Sequence, residues 1–137
     1  MSNQSDEIYV ITCSDKLVSM GMNRLRTATE GLSELHLSLD WPKATLVPVI
    51  SEEKAQFNTG ETRVVKIRQV KVPALAVVLQ SFYGSNGMGH LFCIGSTEFK
   101  TFREDRIADR AMFQSRIKAS VLPDDLLGQV IIVPGKP

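Results

Sequence analysis

Thiols and imidazoles, which could pair as nucleophile and base, occur twice each in this chain: Cys13 and Cys93, His36 and His90. A thiolate nucleophile needs its base within hydrogen-bond reach. Cys13 follows an apolar run and precedes an expected helix start, where the helix dipole would lower a thiol pKa. It is the single cysteine-enzyme candidate, and no spacing brings a histidine to it. Both cysteines lie in apolar stretches and read as buried thiols. The four residues also lack the C-x-x-C or H-x-x-x-H spacing that sets two ligands on one metal ion. Gly84-x-x-Gly87-x-Gly89 has the glycines of a phosphate loop but no Lys-Ser/Thr pair and no following helix, so it reads as a hairpin tip. Glu52-Glu53 and Asp124-Asp125 are pairs in sequence, read as solvated loop carboxylates rather than an acid/base pair. No catalytic residue, metal or cofactor is assigned, and the chain reads as a non-enzyme.

The charge distribution points elsewhere. The net charge is +1, yet residues 62–118 carry ten Lys/Arg against four Asp/Glu, while residues 1–61 carry five against nine. A basic middle in a neutral protein is a candidate anion-facing surface. Its lysines and arginines are the candidate contacts. Guanidinium groups present planar, bidentate donors to phosphate. The competing role is internal: Asp105 could pair with Arg103 or Arg106 and leave no free site.

These residues need elements to position them. The 137 residues, 43% hydrophobic and 23% charged, fit one domain with its own core. Ile8–Ile11 reads as a strand. Ser14 offers an N-cap, and Val18, Met22, Leu25, Thr29 and Leu32 recur at helical steps over Lys16–Leu35. Thr45–Ile50 reads as extended, with Pro48 favouring an edge. Ser51–Asn58 reads as a connection, and Thr59-Gly60 as a turn. Thr62–Val72 alternates Val65 and Ile67 against Lys66 and Arg68, the period of a half-buried strand. Ala74–Tyr83 and His90–Gly95 read as the two arms of a hairpin. Arg103–Lys118 reads as a helix, with Ile107, Ala111 and Gln114/Ser115 at helical spacing. Gln129–Val133 reads as a last strand and 134–137 as a frayed tail. The expected fold is one α+β domain over 1–137: a strand-helix part at 1–50, then a β-rich part at 57–133 forming a strongly bent antiparallel sheet or small barrel.

Lys100-Thr101-Phe102-Arg103-Glu104-Asp105-Arg106-Ile107 resembles the R-T-F-R-x-D-R-I signature that closes WYL-type domains, with Phe92-Cys93 at the spacing of that family's preceding strand. Gly60-Glu61-Thr62-Arg63-Val64-Val65 looks like its first hairpin. The likeness spans about residues 57–108. The Trp-Tyr-Leu triplet is absent, with His90-Leu91-Phe92 near its place, and Lys100 stands where Arg is usual. The resemblance implies an SH3-like or Sm-like barrel and a regulatory module for nucleic acid or nucleotide-like ligands, with Arg103, Arg106 and Lys100 as the contacts carried over, Phe102 as a ring that can stack on a base, and Lys66 and Arg68 adding to the surface.

The expected function is that of a small non-enzymatic regulatory or accessory protein. It binds nucleic acid, single-stranded DNA or RNA by preference, or an anionic nucleotide-like ligand, through the basic β-rich segment. The alternative is a protein–protein adaptor or inhibitor of mobile-element or phage type, homo-oligomeric, whose free strand edges take a partner without binding nucleic acid. The polar start lacks a signal peptide's basic and apolar regions, and no apolar run reaches the ~18 residues of a membrane helix. A cytoplasmic protein is expected.

Overall fold

The period-2 pattern of residues 62–72 is the clearest structural signal in the chain. In the computed structural model, which describes residues 7–13, 32–80 and 87–137, these residues form the longest strand. Val65, Ile67, Val70 and Val72 are buried, while Lys66, Arg68 and Lys71 face solvent. The strands, in chain order, are β1 (Glu7–Cys13), β2 (Leu32–Leu39), β3 (Thr45–Ile50), β4 (Ala55–Phe57), β5 (Thr62–Val72) and β6 (Val77–Gln80). They continue with β7 (Gly89–Gly95), β8 (Arg106–Ser115), β9 (Ala119–Val121), β10 (Leu126–Val133) and β11 (Gly135–Lys136). The one helical element among the described residues is a 3₁₀ turn at Trp41–Lys43.

All strand pairs are antiparallel, in sheets ordered β5-β8-β7, β3-β10-β6, β1-β2-β11 and β4-β9. The first two share the main core, in which Val65, Ile67 and Phe113 meet Val49, Leu127 and Val130. Phe57 of β4 packs edge-to-face on Phe113, with ring centroids 5.7 Å apart, a geometry favoured by the ring quadrupoles. A second cluster of Leu37, Leu39 and Val133, with Ile8, Leu75, Val77, Phe102 and Ile131 packed on it, joins the β1-β2-β11 sheet to β10. So β10 is covered on both faces: Val130 and Ile132 enter the main core, Ile131 and Val133 the second cluster. The unbroken apolar run of residues 130–133 follows from that double burial.

The α+β expectation is overturned: the described chain is all-β apart from the 3₁₀ turn. The helix expected over Lys16–Leu35 lies outside the described residues up to 31, and its last residues, Leu32–Leu35, belong to β2. The helix expected over Arg103–Lys118 is a turn followed by β8. The buried residues Ala108, Ala111, Phe113 and Ser115 include one three-residue step, 108 to 111. That step faces an irregularity between Lys66 and Val70 of β5. A bulge breaks alternation, and the broken alternation imitates helical spacing. The hairpin expected over 74–95 is also overturned. Its arms sit in different sheets, β6 on β10 and β7 on β8, and most of its expected tip, at 81–86, lies outside the described residues. The tail expected to fray instead pairs as β11, with Gly135 opposite Leu39. Pro48 does lie on an edge strand, β3, where its missing N–H is tolerated.

Candidate functional site: a cleft beside an unpaired strand edge

The site arises where β7 leaves β8. Their register ends at Gly95 opposite Arg110, while β5 stays beside β8 down to Val72 opposite Arg106. The chain from Ser96 to Asp105 then loops away. Beside the vacated stretch of β8 lies a cleft of about 540 Å³. Val72, Ala108 and Val130 supply apolar lining, Ile94 of β7 and Val78 of β6 stand at its sides, and Glu98, Lys100, Asp105 and Arg106 bring charge. An apolar cavity of this size with a few convergent polar groups is the usual form of a ligand site.

The loop that delivers Lys100 and Arg106 is built by local hydrogen bonds. Glu104 accepts from the backbone N–H of Thr101 at 2.8 Å and from its hydroxyl at 3.2 Å. These two bonds hold the Glu104 carboxyl below its ordinary pKa, since both favour the charged form. The N–H of Leu75 donates to Phe102 O at 3.0 Å, and the N–H of Ala74 to Asp105 Oδ1 at 2.8 Å. Asp105 is therefore occupied by backbone and forms no ion pair with Arg103 or Arg106 among the described residues.

Arg106 is the unusual group. It is half-buried, with its guanidinium 5.0 Å from the centre of the Phe102 ring. Its Nη2 donates to Ala76 O at 2.9 Å and to Pro73 O at 3.3 Å. Nε is buried without an acceptor, and no carboxylate pairs with the guanidinium among the described residues. Desolvation lowers its pKa, although an arginine stays charged at any working pH. Lys100 pairs with Glu98 at 3.3 Å; this exposed pair has a worth near zero to 1 kcal/mol, weak enough to be exchanged for a ligand anion.

The structure thus brings Lys100, Phe102 and Arg106 together and separates the other three candidates. Arg103 is exposed in the turn after Phe102. Lys66 projects from the middle of β5, opposite Arg110 of β8. Arg68 is tied to Asp124 at 2.6 Å. Phe102 packs into the second cluster, so the stacking expected on a free base is replaced by stacking on Arg106. Cys93, expected to be buried, is an exposed free thiol on the cleft wall. The sequence reading missed Val72, Val78, Ile94 and Val130 as site residues, because apolar side chains carry no signal until the fold gathers them. Among the described residues no three His, Cys, Asp or Glu side chains cluster as a metal site requires, and no helix is long and apolar enough to cross a membrane.

Comparison with known proteins replaces the WYL resemblance. The family model that matches is described as "Domain of unknown function DUF22" and covers residues 21–118, a span that contains both the signature-like stretch and the expected first hairpin. A relative from Methanocaldococcus jannaschii, "Uncharacterized protein MJ0614", is 29% identical over 91 residues, 66% of this chain and 70% of its own length. No solved structure matches. The eight-residue likeness to the WYL signature is local, and the turn that it forms is accounted for by the Thr101–Glu104 bonds.

Proposed function

The chain belongs to the DUF22 family, and from the cleft's geometry we propose that it is a non-enzymatic binding module for an anionic ligand. The observation that carries this reading is Arg106: a half-buried guanidinium on the wall of an apolar cleft with no carboxylate partner among the described residues. Charges taken from water are ordinarily paired, and a ligand anion entering the cleft supplies the pair. Lys100 reinforces it once released from Glu98. The apolar lining gives the rest of the ligand a surface to cover.

The test needs no knowledge of the ligand. Cys93 on the cleft wall reports the local potential through its alkylation rates with anionic iodoacetate and neutral iodoacetamide, read by peptide mapping. Relative to a small free thiol, Cys93 should favour iodoacetate, and Arg106→Gln should remove that preference. A ratio equal to the free thiol's and unchanged by Arg106→Gln would overturn the reading.

A second reading, single-stranded nucleic acid, draws on β5. That strand bears Arg63, Lys66, Arg68 and Lys71 and no acid, and neither Lys66 nor Lys71 has an ion-pair partner among the described residues. Lysines on an edge strand also serve to discourage edge-to-edge pairing. Fluorescence anisotropy with labelled oligo-dT and oligo-U at two salt concentrations separates the roles, because phosphate contacts weaken steeply with salt.

A further inference from the structure

The cleft has a feature that a general anion site does not need. From Arg106 to Asp109, β8 has β5 on one side and, among the described residues, no strand on the other. None of these four residues makes a backbone–backbone hydrogen bond outside the β5 ladder among the described residues, although Asp109 O accepts from Arg110 Nη1 at 3.0 Å. In an antiparallel strand, alternate residues turn both N–H and C=O to the same side, so two of the four turn main-chain donors and acceptors toward the cleft. The opposite wall is also an edge, since among the described residues β6 pairs with β10 alone, and its Val78 and Gln80 line the cleft. Proteins normally cover or blunt such edges. Here the vacated stretch is about 13 Å long at roughly 3.3 Å per residue, enough to pair a strand of about four residues.

From this geometry we infer that the cleft receives the C-terminal segment of an extended peptide, added as an antiparallel strand along Arg106–Asp109 with its α-carboxylate at Arg106. The inference rests on the anionic-ligand reading and names the ligand class. Arg106 opens β8, so a carboxylate there ends a peptide running opposite to β8. Alternate peptide side chains then descend onto Val72, Ala108 and Val130, the pattern of strand-addition recognition with terminal-carboxylate capture. Charge favours this occupant over a nucleotide. Among the described residues the cleft offers one unpaired cation, with Lys100 tied to Glu98 and Asp105 also on its lining. A carboxylate brings one negative charge, whereas a phosphate monoester brings about −1.5 to −2. A nucleobase would also leave most of the vacated edge unpaired.

The experiment selects a random heptapeptide library displayed with free C-termini against the full chain. The consensus peptide is then synthesised as the free acid and as the C-terminal amide. We expect enrichment of sequences with apolar residues at alternate positions from the C-terminus, saturable binding of the acid by anisotropy, and at least tenfold weaker binding of the amide. The acid should also slow amide exchange within Ile107–Asp109. Arg106→Gln should erase the acid–amide difference, and the acid–amide comparison itself needs no variant that might fail to fold. Absence of any consensus, equal binding of acid and amide, or unchanged exchange at 107–109 would overturn the inference. If Cys93 still favours iodoacetate and adenosine 5′-monophosphate protects it while no peptide is enriched, the strand-addition idea falls and the anionic cleft stands. If Cys93 shows no anion preference, both fall.

Discussion

Replacing Arg106 by Met separates a guanidinium kept for binding from one kept for folding. The loss side begins with Nη2, whose 2.9 Å bond to Ala76 O is charge-assisted. Such bonds are worth about 1.5–3 kcal/mol at most, and about 1 kcal/mol is a fair share beside an open cleft from which water can reach the freed carbonyl. The 3.3 Å bond to Pro73 O adds about 0.5 kcal/mol. The stack on Phe102 at 5.0 Å adds roughly 0.5–1 kcal/mol. Together these come to about 2–2.5 kcal/mol. On the other side, a fully buried unpaired ion costs several kcal/mol, so half-burial of Arg106 costs about 2 kcal/mol, which the neutral side chain recovers. A Met sulfur against the Phe102 ring returns about 0.5 kcal/mol more. The expected net change is within about 1 kcal/mol, a shift of roughly 4 °C or less in Tm for a chain of this length. Differential scanning fluorimetry, checked by urea unfolding, measures it. A fall of 10 °C or more would mean that the guanidinium is a structural tie for the 73–76 turn, and the unpaired-cation argument would lose its premise.

Two further outcomes are expected. Gly135→Ala should destabilise by about 1–3 kcal/mol, the usual range for overpacking. Its Cβ would collide with the backbone oxygen of Leu75 and come within 2.8 Å of Leu37 Cδ1, and a urea midpoint unchanged from wild type would show that the tail does fray from β2 as the sequence suggested. Glu104→Gln tests the turn. Because the folded carboxyl lies below its ordinary value, its contribution is present above the unfolded-state pKa of about 4.3 and disappears as pH falls through the folded value. Wild type should therefore exceed Glu104→Gln in unfolding midpoint at pH 7, with the gap narrowing progressively as pH falls below about 4.3. A gap that stays constant with pH would refute the assigned bonds.

What could be read in advance depended on whether a side chain's role is set by near neighbours in the chain. β5 was legible because exposed and buried residues alternate from Val64 to Arg68, and β10 because Val130–Val133, covered on both faces, forms an unbroken apolar run. β2 was not: Leu35, Leu37 and Leu39 alternate with His36 and Ser38, but Leu32 also completes the helical spacing of the residues before it, and only pairing with β1 and β11 decides between the two periods. β8 failed for the opposite reason, since its alternation is broken by an irregularity that belongs to its contact with β5. The site divides the same way. Lys100, Phe102 and Arg106 were legible as chemistry because charge and ring are properties of single residues. Their difference in role was not, since Arg68 and Lys100 meet acids distant or near in sequence while Arg106 meets only carbonyls and a ring. The unpaired edge is the least legible feature, because no residue encodes it. It follows from where β7 departs: Leu91 and Cys93 straddle a bulge, Gly95 makes the last pair, and the ten residues before Arg106 loop away instead of continuing the ladder. A β7 that continued past Gly95 would itself occupy the vacated edge of β8 and close the cleft, carrying Ser96, Glu98 and Lys100 from its lining into the ladder.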